Sequence, residues 1–275
     1  RLGITITHFR DMSDYDRICY QLEEYTEGLV TNTVTLAESE QELKKRNVEL
    51  QEELKARQSI EKLLKQSLES QNRIIDDMIE TLSFIVVLCD PYNSMHQQRV
   101  AALAKTIATR MSLNSDQIKG IYVAGMLHDI GKIRIPTSIL TKPGQIDDVE
   151  RALIQTHPII SYEILKQIEF PWPVAQIARQ HHEKLDGSGY PDGISGEDIL
   201  LESRIICVAD IVEAMGFNRP YRPSMGLDRA LKEITDYRDI RYDAEVVDAC
   251  VDLFKTENFS FLNENNILNR TELNI

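Results

Sequence analysis

Apolar residues recur at seven-residue intervals between Leu36 and Ile85, and no proline or glycine interrupts this segment. Sustained heptads predict a long helix that pairs as a parallel coiled-coil homodimer, with Asn47 on the seam setting the register. Four of the first eight seam positions are polar, so the alternative is an amphipathic helix that packs on its own domain. The seam consists of two interleaved series: Leu36, Leu43, Leu50, Arg57, Leu64, Gln71, Met78 and Ile85, and Glu40, Asn47, Leu54, Glu61, Leu68, Ile75 and Leu82.

The residues that precede this helix show a strand-like alternation of apolar and polar positions. The apolar positions are Leu2, Ile4 and Ile6. Ser13 or Asp14 can then cap the start of a helix. A strand that leads directly into a helix resembles the exit of a PAS-type sensor domain. Residues 1–33 are therefore interpreted as the end of a sensor domain, and residues 34–83 as a coiled-coil signalling helix.

Residues 84–261 show the 3.6-residue periodicity of amphipathic helices. One predicted helix places His96 on its apolar face, and another carries His128 inward and ends at Gly131. Residues 262–275 form a polar tail rich in asparagine, with little apolar periodicity. The chain is therefore predicted to be all-α, with a long N-terminal coiled-coil helix followed by a helical bundle.

Charge and composition restrict the possible functions. The 275-residue chain has a net charge of −13, which argues against generic nucleic-acid binding and predicts no DNA partner. An anionic substrate would need metal ions or a few placed basic residues. The longest apolar run, Phe84 to Cys89, is far shorter than the roughly 20 residues of a membrane span. The cysteines include no Cys-x-x-Cys pair and favour the cytoplasm, while Arg1 at the start suggests a fragment of a longer protein.

The histidines are concentrated in one part of the chain. A single histidine on an apolar helix face is more often a hydrogen-bonded core residue than a metal ligand, but the concentration indicates a site. Asp210 lies in a helix that is apolar nearly all round, so its carboxylate must be paired, protonated or bound to a metal. Imidazoles and carboxylates without thiolates suit iron, manganese or another divalent transition metal. Five of the six histidines fall within 87 residues: His96, His128, His157, His181 and His182.

Several short motifs follow one another between Phe84 and Phe261: His128-Asp129 with Gly131-Lys132, His157-Pro158, the run from His181 to Pro191, Ala209-Asp210, and Arg219-Pro220-Tyr221. This series resembles the HD-GYP family of metal-dependent phosphohydrolases, which act on cyclic di-GMP. The resemblance implies a helical HD-GYP domain over residues 84–261 and two divalent metal ions, iron or manganese. The implied ligands are His96, His128, Asp129 and Asp210 for one ion, and Asp129, His157, His181 and His182 for the other.

The resemblance also implies a mechanism. Asp129 would bridge the two ions, and the water between them would lose its proton and attack the phosphodiester as a metal-bridged hydroxide. Lys132 would lie beside this water and a phosphate oxygen, so Asp129 and Lys132 are the predicted catalytic residues. The alternative for Lys132 is a lysine at a helix C-terminus that faces the helix dipole.

Further residues are predicted to contact the substrate or to support the ligands. Glu183 and Asp186 would orient the histidines by hydrogen bonds, although Asp186 could equally be a turn residue. Among the predicted substrate contacts, Arg219 and Arg222 could equally be surface charges, whereas Gly187 and Gly189 allow close approach of a ligand. The predicted substrate contacts are Lys132, Gly187, Gly189, Tyr190, Arg219 and Arg222.

The sequence departs from the family at three positions. Tyr92 stands where some members carry a glutamate associated with a third metal, which favours a two-metal site. Gly216 and Phe217 replace the small polar residues that usually precede Asn218, which leaves the shape of the substrate pocket open.

The implied function is hydrolysis of cyclic di-GMP to linear pGpG, or further to GMP, under the control of the sensor and coiled coil. One alternative is a metal-bound module of low activity that senses the nucleotide or binds a protein partner through the Gly-Tyr-Pro loop. Another is a phosphohydrolase for mononucleotides or for another cyclic dinucleotide.

Overall fold

The computed structural model describes residues 12–89, 95–142, 144–217, 224–256, 259 and 261. Several of the sequence predictions lie outside these residues: the strand at Leu2 to Ile6, the departure at Tyr92, the substrate contacts Arg219 and Arg222, and the tail at 262–275.

The described residues are predominantly helical, and no β-strand occurs among them. The α-helices are α1 (Met12–Cys89), α2 (His96–Arg110), α3 (Ser115–Leu127), α4 (Thr137–Leu140), α5 (Asp148–Ile154), α6 (His157–Leu165), α7 (Val174–Gln180), α8 (Leu201–Gly216), α9 (Leu227–Asp236) and α10 (Ala244–Thr256). Short 3₁₀ turns occur at Ile130–Arg134 and Gly196–Asp198. The prediction of an all-α fold, with a long N-terminal helix followed by a helical bundle, is confirmed.

The chain divides into two compact units, one up to Asn72 and the other from Arg73 onward. The first unit contains the greater part of α1, and its apolar seam residues, such as Leu36, Leu43 and Leu50, are exposed. Although α1 spans 78 residues, neither it nor any other described helix contains an apolar stretch long enough to cross a bilayer. The coiled coil and the predicted domain boundaries stay predictions.

The second unit is a bundle in which α2 packs against both α3 and α8. The inward face of α2 has the helical spacing expected from the sequence, and Leu103 and Ile107 on it are completely buried. Ile121 of α3 and Ile205 of α8 are buried in the same core. Burying each of these side chains contributes about 1.5–3 kcal/mol, so the core fixes the three helices that approach the site described below.

The prediction that the helix carrying His128 runs on to Gly131 is wrong, because α3 ends at Leu127. The backbone turns at Asp129 and continues as the 3₁₀ turn Ile130–Arg134. Gly131 then lies so close to α6 that a Cβ atom would be 2.1 Å from the carbonyl oxygen of His157. Only glycine permits this approach, which brings the residues around Asp129 against the start of α6.

Candidate metal centre

The fold brings the seven predicted metal ligands together, most of them at helix ends. His96 and His157 begin α2 and α6, whereas His128 and His181 directly follow the last residues of α3 and α7. His182 keeps 22% of its side-chain surface exposed, and the other six ligands are buried. The buried ligands are His96, His128, Asp129, His157, His181 and Asp210.

Three of the histidines have the same hydrogen bond to the end of a helix. The last carbonyl groups of an α-helix have no partner within the helix. The Nδ1 atoms of His128, His157 and His181 lie 2.7, 2.7 and 2.6 Å from the carbonyl oxygens of Gly125, Ile154 and Ala178, which belong to the last turns of α3, α5 and α7. A carbonyl oxygen only accepts, so Nδ1 carries the proton in each ring. The Nε2 lone pairs are therefore left for a metal ion.

The spacing of these Nε2 atoms fits metal binding. The Nε2 atoms of His157 and His181 lie 3.3 Å apart, and the proton of each ring is on Nδ1, where it is donated to a backbone carbonyl oxygen. Two imidazole lone pairs at this distance repel each other unless a cation lies between them. Metal–nitrogen bonds of 2.0–2.1 Å place adjacent ligand atoms about 3.0–3.4 Å apart. Donor type, tautomer and spacing therefore all fit a divalent transition metal.

The donors form two groups, each able to hold a metal ion. One consists of His157, His181 and His182, and the other of His96, His128 and Asp129. Asp129 contacts both groups, because its Oδ1 lies 3.1 Å from Nε2 of His157 and its Oδ2 lies 3.4 Å from Nε2 of His128.

Asp210 lies between the same two groups of donors. Its Oδ1 lies 3.2 Å from Nε2 of His96, and its Oδ2 lies 3.8 Å from Nδ1 of His182. The centre thus contains two carboxylates. Asp210 lies beside both groups of imidazoles, and Asp129 contacts both of them.

The electrostatics keep the carboxylates charged and two of the histidines neutral. Burial alone would raise the pKa of Asp129, but Lys132 and His128 hold that pKa well below its usual range. Burial, together with neighbouring imidazoles, holds the pKa values of His181 and His182 well below their usual range. Metal binding requires ionised carboxylates and neutral imidazoles, so these directions favour it.

Lys132 lies directly on the shared carboxylate. Its Nζ is 2.5 Å from Oδ2 of Asp129, and the residue is 9% exposed. The 3₁₀ turn brings the ammonium group back over Asp129, three residues earlier in the chain. This position is compatible with the predicted role beside a phosphate oxygen, which stays a prediction.

One ligand is supported by residues that the sequence reasoning missed. Nδ1 of His96 lies 2.5 Å from Oε2 of Glu213, and Nε of Arg99 donates to Oε1 of Glu213 at 2.7 Å. Burial lowers the pKa of His96, but Glu213 and the nearby carboxylates outweigh this and raise it to about 10, so this ring must release its Nε2 proton when it binds a metal ion. Glu213 lies three residues after Asp210 on α8, and like Asp210 it is a carboxylate within a largely apolar helix, a signal that is visible in the sequence.

A second missed residue, Ser161, holds the turn after α3 against α6. Its hydroxyl donates to the carbonyl oxygen of His128 at 2.8 Å and accepts from the backbone N–H of Gly131 at 2.9 Å. A buried serine in a helix gives no distinct sequence signal, which explains why it was not found.

Glu183 connects the histidine pair to the loop that follows it. Its Oε1 accepts hydrogen bonds from the backbone N–H groups of Asp192 and Gly193, at 2.7 and 3.2 Å. Burial raises the pKa of Glu183, although these backbone donors oppose the shift. Arg179 in α7 forms a bidentate ion pair with Asp192, at 2.6 and 2.7 Å, and fixes the other side of the loop. The predicted orientation of the histidines by Glu183 stays a prediction.

Asp186 shapes the first part of this loop. Its Oδ1 accepts from the backbone N–H of Ser188 at 3.0 Å, as in an Asx turn. Gly187 follows with φ of +75°, a conformation that favours glycine, and Gly189 lies against the backbone of His182. These contacts support the turn role that the sequence left open for Asp186.

Tyr190 brings the loop back to the metal ligands. Its ring stacks on His182 with centroids 4.6 Å apart, and it lies 6.5 Å from the ring of His157. Tyr190 is thus the predicted substrate contact that directly adjoins the histidines, while the predicted roles of the glycines stay predictions.

Two of the three positions at which the sequence departs from the family, Gly216 and Phe217, lie at the end of α8. Gly216 is the last residue of α8, and its carbonyl oxygen accepts from the hydroxyl of Ser224 at 2.6 Å. The guanidinium carbon of Arg99 lies 4.1 Å from the ring centroid of Phe217. Phe217 therefore packs on the arginine that supports Glu213.

The described residues thus form a helical bundle whose histidine and aspartate clusters could hold metal ions. A family model described as HD domain matches residues 80–246, which is more than half of the chain. The chain therefore belongs to the HD domain family, whose members are metal-dependent, and the resemblance to HD-GYP proteins is confirmed.

Two curated relatives and one solved structure extend the comparison. The chain is 35% identical over 224 residues to the cyclic di-GMP phosphodiesterase response regulator RpfG of Xanthomonas campestris, covering 80% of this chain and 56% of that protein. It is 38% identical over 157 residues to the 3'3'-cGAMP-specific phosphodiesterase 3 of Vibrio cholerae, covering 57% of this chain and 34% of that protein. The chain thus spans about half or less of these relatives.

The solved structure of Bd1817, an HDG"Y"P protein from Bdellovibrio bacteriovorus, has a similar fold. The TM-score is 0.51 at 19% identity, with 59% of this chain and 52% of that chain covered.

Proposed function

We propose that this chain hydrolyses cyclic di-GMP to linear pGpG as a metal-dependent phosphodiesterase. The observation that carries the proposal is the contact of Asp129 with two groups of imidazoles, with Lys132 on the same carboxylate. Bound divalent ions would supply an activated water molecule and neutralise charge on the phosphate. The relatives named as phosphodiesterases for cyclic dinucleotides support this substrate class.

The residues of the chain have separable tasks in this reaction. The helix-end carbonyls orient the rings of His128, His157 and His181 and fix their tautomers. Asp129 contacts both groups of ligand side chains with its two oxygen atoms and thereby fixes the distance between the groups. Lys132 supplies a fixed positive charge where the phosphate would approach, which stabilises negative charge that develops during the reaction.

The proposed metal content is two ions per chain, iron or manganese. Because neighbouring donors share each ion, replacing any single ligand should lower the metal content. Elemental analysis of protein reconstituted without oxygen tests this, and fewer than one ion per chain would contradict it.

The activity is tested by incubating metal-reconstituted protein with cyclic di-GMP and separating the products by chromatography. The expected product is pGpG, and later appearance of GMP would show a second hydrolysis. An Asp129→Asn variant should be inactive, because it retains the size of the side chain but loses the charge that both donor groups contact. Turnover by this variant equal to that of the unmodified protein would refute the assignment.

The same experiment separates the alternatives. Metal binding and nucleotide binding without turnover would indicate a sensing module, for which a protein partner at the Gly-Tyr-Pro loop is the proposed output. Faster hydrolysis of 3'3'-cGAMP than of cyclic di-GMP would indicate the specificity named for the Vibrio cholerae relative. The proposed compartment is the cytoplasm, because the described cysteines are free thiols.

We propose further that α1 forms a parallel homodimer. The seven-residue spacing continues from Leu36 back to Leu29, Leu22 and Tyr15, all of which are exposed. Cys19 follows Tyr15 by four residues, so it lies on the same seam as a free, partly exposed thiol. In a parallel dimer the two copies of this cysteine face each other.

Mild oxidation followed by non-reducing electrophoresis tests this arrangement. In a chain that carries Cys89→Ser, a disulfide-linked dimer is expected through Cys19, because the other two cysteines, Cys207 and Cys250, are buried. Cys19→Ser should abolish the crosslink, and adding Arg17→Cys to that variant should not restore it, since this position points away from the seam. An antiparallel pair would hold the two copies of Cys19 far apart, given a rise of about 1.5 Å per residue. A monomer in light scattering would contradict the proposal.

A further inference from the structure

A cleft of about 760 Å³ adjoins the metal centre. This is within the range of small-molecule pockets, about 300–1,000 Å³. Tyr190, whose ring stacks on His182, forms one side of it. The residues that line it are Gly144, Gln145, Ile146, Arg151, Ile154, Gln155 and Tyr190.

The cleft is joined to the metal centre through α5 as well. Ile154, the last residue of α5, lines the cleft, and its carbonyl oxygen holds Nδ1 of His157. Tyr190 and α5 are therefore each in contact with both the cleft and a ligand histidine. A molecule bound at the metal centre and larger than its scissile phosphate would extend into this space.

Arg151 is the charged side chain among the described residues that line the cleft. It is exposed, and none of the described residues forms an ion pair with it. Two of the three carboxylates that shortly precede it in the sequence are engaged elsewhere: Glu150 binds Nζ of Lys142 at 2.6 and 2.7 Å, and Asp147 accepts from the backbone N–H of Glu150 at 2.9 Å. These same contacts cap the start of α5, the helix that carries Arg151.

The remaining lining suits a nucleotide. Ile146, Ile154 and Tyr190 offer apolar and aromatic surface to a base, while Gln145 and Gln155 offer amide groups to its edge. A cyclic dinucleotide has two phosphodiester groups, and the metal centre can hold one of them during hydrolysis. The planar guanidinium of arginine matches the geometry of the other.

We infer that this cleft binds the second nucleotide of a cyclic dinucleotide and that Arg151 contacts its non-scissile phosphodiester. This inference rests on the proposed function. In a chain of net charge −13, an unpaired cation beside the centre would offset the long-range repulsion of the substrate. The contact is made to a group that does not react, so it should affect binding more than the chemical step.

Steady-state kinetics of Arg151→Ala test the inference. The KM for cyclic di-GMP should rise about tenfold or more with little change in kcat, because one charge-assisted contact is lost. Arg151→Lys should recover part of the loss, since it retains the charge but not the planar fork. Bis(p-nitrophenyl) phosphate, a small diester that needs only the metal centre, should be hydrolysed at an unchanged rate. The matched control is Arg229→Ala, an exposed arginine of α9 outside the cleft lining, which should leave all rates unchanged.

The outcomes are distinguishable. An unchanged KM for Arg151→Ala, or an equal loss with the small diester, would overturn the inference while leaving the phosphodiesterase intact. A loss with cyclic di-GMP but not with 3'3'-cGAMP would overturn the phosphate assignment in favour of base recognition. If the unmodified protein hydrolyses only the small diester, the proposed function fails. Calorimetric binding of cyclic di-GMP then tests the cleft, and equal affinity for the unmodified protein and Arg151→Ala would overturn it.

Discussion

Replacing Glu213 by glutamine should weaken metal binding although the residue is not itself a predicted ligand. Glu213 is 1% exposed, and its two oxygen atoms have different partners. Oε2 contacts Nδ1 of His96 at 2.5 Å, and Oε1 accepts from Arg99 at 2.6 and 2.7 Å. Glutamine has the same size but only one oxygen, so its NH₂ group must face one of these two donors.

Both orientations of the amide are unfavourable. If the NH₂ group faces Arg99, two donors oppose each other and a partly buried guanidinium loses its carboxylate. If it faces His96, Nδ1 must become an acceptor and the proton moves to Nε2, the atom that lies 3.2 Å from Asp210. The lone pair for the metal is then lost. Changing such a supporting residue typically lowers metal affinity 10- to 100-fold, which corresponds to about 1.4–2.7 kcal/mol.

The assay is competition for the metal between the protein and a chelator of known affinity, with thermal unfolding followed in parallel. The matched control is Glu202→Gln on the same helix, which removes the same charge away from the ligands. Metal affinity of Glu213→Gln within twofold of the unmodified protein, with an unchanged unfolding temperature, would refute the reasoning. An equal loss in Glu202→Gln would attribute the effect to net charge rather than to His96.

Three further predictions follow from contacts in the same region. Lys132→Ala should lower hydrolysis by about 10²- to 10³-fold, whereas Asp129→Ala should abolish it, and equal residual rates would contradict the separate roles. Gly131→Ala should destabilise the fold by about 1–3 kcal/mol and lower the metal content, as measured by denaturation and elemental analysis, whereas Gly216→Ala, with open space around it, should not. Asp192→Asn should lower the free energy of unfolding by up to about 1 kcal/mol near neutral pH, because the ion pair with Arg179 is lost. Since an arginine lowers the pKa of Asp192, this stabilisation exists above the unfolded pKa of about 3.9 and disappears as pH falls through the lower folded value; a pH-independent difference in denaturation would contradict it.

Much of the fold could be predicted from spacing alone. The seven-residue repeat around Leu36 and Leu43 predicted a long helix, and the apolar face that includes Leu103 and Ile107 predicted α2. The end of α3 was placed too late, because Gly131 reads as a helix terminator in the sequence. Its actual role is the close approach to α6, a contact between distant segments that no local pattern reveals.

The site could be predicted from the sequence where its chemistry depends on residue types that are uncommon in a helical core. Clustered histidines and the buried Asp210 are conspicuous in a sequence, and the structure brings them together. Arg99 and Arg151 are ordinary charged residues on amphipathic helices, so only their positions beside Glu213 and the cleft distinguish them. Contacts of loop backbone, such as those accepted by Glu183, depend on the path of the loop and are equally invisible.

The helix ends explain how a helical bundle builds this centre. Each helix leaves carbonyl groups without partners at its C-terminus, and these groups carry partial negative charge. A histidine that follows the helix by one to three residues can donate Nδ1–H to such a carbonyl, as His128, His157 and His181 do. One bond thus satisfies the helix end, selects the tautomer and aims Nε2 at the centre. Aspartate or cysteine at these positions could bind a metal but not make this bond, which gives a physical reason for histidine there beyond metal affinity itself.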